Sequence, residues 1–295
     1  MVGRAAPDQG PWPRLEAWRK MLDDMQAGAC EPLSKRYPNT LAEETIAGVP
    51  VRIVTPEGMP ESNKDRILLN LHGGGFTADS GSYLETIPIA SYSKLKVVAV
   101  LYRLAPEHPF PAAVDDSVAV YKELLKTHKP NHIVIYGTSA GAVLTAEVAA
   151  KLEQLGLPMP AALGIVSGNG DFDGAWAGDS FAMYSLSGLA GHLDPPKRGT
   201  WNPYYTGSTD VKDPVLSPIY GDLHGLPPTL FVTSERDALL SSTVNLHRAY
   251  LLSGVDARLI VYDALPHGFW CDLRVPEAQE ANRLMADFFV KELAK

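Results

Sequence analysis

Residues 133–141 read IVIYGTSAG, and AVLTAEVAAKLEQ follows. A short apolar run, brief and β-branched enough for a buried strand, passes without a break into Gly137-Thr138-Ser139-Ala140-Gly141 and then into a helical stretch over 140–155. A serine on so sharp a turn takes strained dihedrals, and the residues two positions to either side must be small for strand and helix to approach. Glycine stands at both. The pattern G-x-S-x-G in a strand-turn-helix setting singles out Ser139 as a candidate nucleophile.

Working outward, the apolar runs Ile67–Leu71, Val97–Tyr102, Ile133–Tyr136, Leu163–Val166, Leu230–Thr233 and Leu259–Tyr262 read as buried strands. They alternate with helical patterns near 111–128, 140–155, 241–253 and 276–293, which predicts an α/β fold with a mostly parallel central sheet flanked by helices. Before them, Leu15, Trp18, Met21, Leu22 and Met25 recur at three- and four-residue steps and predict an amphipathic N-terminal helix over 14–29. The segment IAGVPVRIVTP that follows suits extended pairing. Residues 168–228, rich in Gly, Pro and aromatics, are too long for an ordinary connection and read as an insertion over one edge of the sheet. Phe181, Met183, Tyr184, Trp201 and Tyr205 in that insertion, with Phe76 and Phe269 outside it, are candidate substrate-pocket residues. The alternative for each is packing against the body.

Upstream of the serine, the strand Leu69-Asn70-Leu71 ends at His72-Gly73-Gly74-Gly75-Phe76. Consecutive glycines leave backbone N–H groups able to curve around an anion, as a developing tetrahedral oxyanion requires. Gly73 and Gly74 are therefore expected to join the amide of Ala140 in an oxyanion hole. A phosphate-loop reading fails, because neither G-x-x-x-x-G-K nor G-x-G-x-x-G with a ribose-binding acid follows.

A serine hydroxyl needs a base, and an imidazole needs an orienting carboxylate. His267 lies just past the last expected strand, in Leu265-Pro266-His267-Gly268-Phe269. The other histidines lie in loops or helices away from that position, His72 excepted, which opens the glycine loop and is expected to hold its shape. Asp237 follows the preceding strand, and the order Ser139, Asp237, His267 is the one this strand arrangement uses. Glu235 is the near rival for the acid, and Asp171 and Asp173 are distant ones.

The bulk numbers exclude several classes. With 295 residues, 45% hydrophobic and 20% charged, the chain suits one large globular domain, and a formal charge of −8 argues against a nucleic-acid partner. No stretch reaches the roughly 18 apolar residues a spanning helix needs, so membrane insertion is not expected. The N-terminus MVGRAAPDQGPWPR lacks an apolar signal core. A cytoplasmic location is expected, or a periplasmic or secreted one if a signal was removed. The two cysteines, Cys30 and Cys271, have no metal-type spacing and are expected to be unpaired thiols.

Four segments together resemble the hormone-sensitive-lipase family of bacterial esterases, in the branch with a GTSAG elbow: His72–Phe76, Tyr102–Ala113 (YRLAPEHPFPAA), Gly137–Gly141, and Asp237 with His267. The resemblance implies an α/β-hydrolase fold, no cofactor and no metal, and a small carboxylic ester as substrate. It also implies a helical cap built from an N-terminal arm (1–45) and an insertion at about 172–215 in a catalytic body of 46–295. Arg103 in the second segment is expected to make a buried ion pair with Asp115 or Asp116. Relatives pair through an edge strand of the sheet, which allows a homodimer. The chain departs from the family at Ala142, where another Gly is common, at Ser241, where a second acid often follows the catalytic Asp, and at Ser167-Gly168-Asn169-Gly170, which lacks a Ser-Pro pattern. The same architecture also hosts lactone hydrolases, amide hydrolases and lyases, and serves as a small-molecule receptor where the triad is broken.

Overall fold

A computed structural model describes residues 11–173 and 202–295. Phe181, Met183, Tyr184, Trp201 and most of the expected insertion lie outside the described residues. The chain begins with helix α1 (Pro11–Arg36) and a hairpin of β1 (Asn39–Ile46) and β2 (Val49–Pro56). Both hairpin-turn residues, Ala47 and Gly48, have positive φ, as a tight turn between right-twisted strands requires. There follow β3 (Ile67–Leu71), α2 (Ile87–Ser93), β4 (Lys96–Val100), α3 (Ala112–Leu124), β5 (Ile133–Thr138), α4 (Ala140–Gln154) and β6 (Ala162–Val166). After the undescribed stretch come one helical turn, α5 (Pro203–Thr206), then β7 (Thr229–Arg236), α6 (Leu240–Leu252), β8 (Ala257–Pro266) and α7 (Pro276–Leu293).

The eight strands form one sheet in the order β1-β2-β4-β3-β5-β6-β7-β8, antiparallel at β1-β2 and β2-β4 and parallel from β4 onward. The central strands β3, β5 and β6 are buried at every position because both faces are covered. Ile133 and Ile135 of β5 join a core with Tyr121, Val143 and Leu246 of α3, α4 and α6. Val134 and Tyr136 point the other way, into a core with Ile87 of α2 and Phe289 of α7. Each such aliphatic side chain, fully buried, stabilises the fold by roughly 1.5–3 kcal/mol.

Three expectations need correction. Leu259–Tyr262 lies in β8, which ends the sheet, so only Tyr262 of that strand is buried. Helix α1 runs well past residue 29 and does not dock by the expected apolar stripe, since Trp18, Met21 and Met25 are exposed. Its inward side carries Leu22 and two polar clamps. Gln26 donates to the Asp79 carbonyl and accepts from the Tyr83 amide, while Arg19 donates to the carbonyls of Thr77 and Ala105 and pairs with Glu107. Cys30 and Leu33 near its C-terminal end pack against the core, while backbone groups that need partners hold its earlier turns. Lastly, β1 belongs to the sheet, so sheet structure begins before the division expected at residue 46.

The parallel strands bring the ends of β3, β5, β7 and β8 to one edge of the sheet, as open α/β sheets do with their binding loops. At that edge backbones nearly touch. A Cβ on Gly141 would lie 1.8 Å from the Leu71 carbonyl oxygen, and one on Gly137 would lie 2.2 Å from that of Gly141. Gly141→Ala is expected to destabilise the protein by about 3 kcal/mol, since rigid main chain must move to admit the methyl group. A urea titration checks this, and an alanine variant with the wild-type midpoint would show the approach to be looser than described.

Candidate active site

Ser139 sits between β5 and α4 with φ 53° and ψ −121°, a conformation a side chain rarely takes. The turn is held because the Ser139 amide donates to the Val166 carbonyl of β6 at 2.8 Å and its carbonyl accepts from the amides of Ala142 and Val143. The glycines at 137 and 141 let this happen. The hydroxyl is left at the sheet's end, half-buried, where a base can reach it.

His267, on the loop after β8, places Nε2 2.9 Å from Ser139 Oγ. Its Nδ1 lies 2.9 and 3.0 Å from the two carboxylate oxygens of Asp237. The imidazole is about one-third exposed and Asp237 is fully enclosed. Burial would raise the Asp237 carboxyl, but the charge and hydrogen bond of His267, the Ser167 hydroxyl and the Leu239 amide together outweigh it and hold the group below its ordinary value. Asp237 is therefore an anion that accepts from Nδ1–H, which leaves Nε2 to accept the serine proton. The two loops are also tied to each other, since the Ser234 hydroxyl donates to the Leu265 carbonyl at 2.6 Å. Trp270 packs its ring edgewise to His267, with centroids 5.3 Å apart.

The structure thus brings Ser139, His267 and Asp237 into one hydrogen-bonded line from three distant loops. The rival acids have other partners: Glu235 is exposed beside Asp263, and Asp171 accepts from Tyr220 and the Asp173 amide. Among the other histidines, His132 pairs with Asp65, His224 with Asp222, and His247 packs against Phe231.

The glycine loop is shaped as expected by His72, whose ring stacks on Tyr102 at 4.2 Å and whose Nδ1 lies 2.8 Å from the Gly73 carbonyl. The Tyr102 hydroxyl in turn donates to the His72 carbonyl at 2.6 Å. Asp79 closes the loop from below. Its burial favours the neutral form, yet the nearby His72, the Ser82 hydroxyl and the amides of Ser82 and Gly81 bring it down to about 2, and Arg52 pairs with it at 2.8 Å. Gly74 is obligatory here, with φ 117° and the Ala78 carbonyl oxygen 2.0 Å from where a Cβ would lie.

The expected oxyanion donors need one correction. The Gly73 amide turns inward and donates to Glu85 Oε1 at 3.2 Å, so it is already engaged. Among the described residues, the amides of Gly74, Gly75 and Ala140 have no acceptor. Sequence reasoning did not single out the Gly75 amide, and its positive φ of 63° beside that of Gly74 is the mark of the curved loop. Ser167, which donates to Asp237 Oδ2 at 2.5 Å, was missed as well. Its own φ of 55° shows that it too sits on a strained turn after a strand, though no motif announced it.

The candidate pocket residues that are described turn out to be packed. Phe76 stacks on Tyr205 with centroids 3.5 Å apart, both are buried, and the Tyr205 hydroxyl donates to the buried Glu147. Phe269 is buried against Tyr262 and Trp270 on the other side of the sheet. All three gain more from core contacts than an open site would allow. Arg103 does pair with Asp116, through both oxygens, but its guanidinium is half-exposed, so the pair is not a buried one. Cys30 and Cys271 are free thiols. Among the described residues no cluster of His, Cys, Asp or Glu could hold a metal ion, and no helix is long and apolar enough to cross a membrane.

A family profile for the alpha/beta hydrolase fold matches residues 68–271. The chain belongs to that family. This hydrolase is 30% identical over 290 residues to an acetyl-hydrolase of Streptomyces hygroscopicus, a match covering 94% of this chain and 96% of the relative. It superposes on the crystal structure of an esterase with a TM-score of 0.83 at 34% identity, covering 94% of this chain and 85% of that one. A second esterase structure, from the bacterial hormone-sensitive lipase (HSL) family, gives a TM-score of 0.82 at 29% identity and covers 98% and 94%. Within the family the hydrolase is therefore of the hormone-sensitive-lipase type.

Ser167→Ala removes a hydrogen bond to a buried carboxylate, an interaction worth roughly 1.5–3 kcal/mol. The variant is expected to lose tenfold or more in kcat with KM little changed. Steady-state kinetics on any ester the protein cleaves check this, and an unchanged kcat would show that Asp237 is held well enough without it.

Proposed function

We propose that this carboxylesterase cleaves small esters with short acyl chains through an acyl-enzyme on Ser139. His267 takes the hydroxyl proton through Nε2 as Oγ attacks the ester carbonyl, while Asp237 stabilises the imidazolium and keeps its tautomer. The carbonyl oxygen becomes an anion and is received by the amides of Gly74, Gly75 and Ala140, the last at the N-terminus of α4, where the helix dipole adds to the hydrogen bonds. His267 then gives its proton to the departing alcohol. Water activated by the same imidazole releases the acid. No cofactor is needed for any step.

The observation that carries this reading is the line from Asp237 through His267 to Ser139 Oγ, with spacings of 2.9 Å at each link. The acyl preference has two supports. The aromatic residues beside the glycine loop are engaged in packing, Phe76 on Tyr205, and do not line a trough for a long chain. The Streptomyces relative is also named for acetyl hydrolysis.

A series of nitrophenyl esters tests the reading. Activity is expected to be highest on the shortest acyl chains and Ser139→Ala to be at least ~10⁴-fold slower. A preference for chains beyond about eight carbons, where each buried CH₂ adds about 0.8 kcal/mol, would contradict the acyl preference. Ser139→Ala at wild-type speed would defeat the mechanism. We also propose a homodimer that pairs through β8, which ends the sheet among the described residues. Sedimentation of the same preparation is expected to give twice the chain mass, and a monomer at all concentrations would remove that assignment.

A further inference from the structure

Glu85 is an acid with no part in the steps above, yet it lies behind both halves of the catalytic apparatus and is only 3% exposed. Its Oε1 accepts from the Thr138 hydroxyl at 2.6 Å and from the Gly73 amide at 3.2 Å. Thr138 is the residue before the nucleophile, and Gly73 opens the glycine loop. The acid is anchored from its main chain outward, because its amide donates to the Gly81 carbonyl and its carbonyl accepts from the Tyr136 hydroxyl. Gly81 leaves the space the carboxyl occupies, for a Cβ there would fall 1.8 Å from Oε1. Glu85 Oε2 is buried beside the side-chain amide of Asn70, which also favours the charged form of the acid.

We propose that Glu85 is a positioning residue for ester hydrolysis, a clasp that joins the glycine loop at Gly73 to the nucleophile turn at Thr138 and so sets the oxyanion donors against the Ser139 hydroxyl. The inference rests on the serine-hydrolase reading above. By drawing the Gly73 amide inward, the clasp fixes where the loop begins, and the next two amides are the ones left without acceptors. A donor displaced by a fraction of an ångström stabilises the oxyanion less while binding the ester nearly as well, so losing the clasp should lower kcat more than it raises KM.

The clasp should also respond to pH. Burial pushes Glu85 up to about 8, and Asp79 pushes it the same way against the lowering bonds from Thr138 and Gly73. Asp79, Tyr102, Tyr136 and Cys271 are the titratable groups that face it, and none of them is a cation. Below this value the acid is neutral. As pH rises through it, a negative charge forms behind the donors and opposes the oxyanion, so wild-type kcat is expected to fall.

Kinetics of the full chain on nitrophenyl acetate from pH 6 to 10, with circular dichroism and melting curves for every variant, test the proposal. Glu85→Ala is expected to lower kcat about 10²-fold at pH 7 with KM within about twofold, the cost of a misplaced oxyanion donor. Glu85→Gln keeps an acceptor oxygen and cannot ionise. It is expected to retain kcat within about threefold and to lose the fall near pH 8, which a merely structural role would not alter. Thr138→Val, which removes one arm of the clasp at nearly constant shape, is expected to lower kcat on the order of tenfold, with Thr138→Ser restoring it. If Glu85→Ala does not fold, the Gln and Val variants decide. A folded Thr138→Val at wild-type kcat, or a Glu85→Gln whose alkaline fall matches wild type, overturns the clasp while an inactive Ser139→Ala leaves the mechanism standing. An active Ser139→Ala overturns both.

Discussion

The site depends on how closely the end of β3 approaches the start of α4. Leu71 and Gly141 meet main chain to main chain, and the 1.8 Å that a Cβ would find there leaves no room for any residue but glycine. That approach forces the turn between β5 and α4 to be sharp, and the sharpness puts Ser139 at φ 53° with its hydroxyl turned away from the sheet. The same contact sets the glycine loop, which leaves β3 at Leu71, beside the first amide of α4. The proposed nucleophile and oxyanion donors are thus neighbours because two backbones are pressed together, and the strain at Ser139 is sustained by the cores on both faces of the sheet.

Around this contact, polar groups do the aligning. The glycine loop has little side-chain mass, so its shape comes from His72 stacked on Tyr102, from Asp79 and its amide donors, and from Glu85 beneath. Helix α1 adds Gln26 and Arg19, which bind backbone groups of residues 77–83 and 105. An arm that docks by hydrogen bonds to main chain is held in register more strictly than one that docks by apolar area, because a shift of one residue would strand several buried donors and acceptors. This explains why Trp18, Met21 and Met25 of α1 could face outward without loosening the attachment.

Buried acids fall into two groups according to their surroundings. Asp79 and Asp237 are enclosed among donors and charged partners and stay ionised, whereas burial dominates at Glu85 and Glu147 and raises both. In the proposed mechanism Asp237 is an anion that holds the imidazolium. Glu85 and Glu147 serve as hydrogen-bonding braces, one behind the glycine loop and one against Tyr205, and a neutral acid does that at less desolvation cost than a carboxylate.

Much of this was open to reading in the chain itself. Alternating apolar runs and helical patterns determined the parallel sheet, because strands covered on both faces are near-continuous apolar runs. Gly137-Thr138-Ser139-Ala140-Gly141 marked the candidate nucleophile, and Asp237 and His267 followed from strand ends, because each motif is a local demand of its own turn. What local demand could not decide was which groups would meet across the fold. That Gly73 gives its amide to Glu85 while that of Gly75 is left without an acceptor, that Ser167 reaches Asp237 across 70 positions, that Phe76 and Tyr205 stack, and that α1 turns Trp18 outward were all settled by packing. A residue's neighbours in sequence constrain its backbone, but the partner of a buried hydrogen bond is chosen by whatever the assembled sheet and helices bring within three ångströms of it.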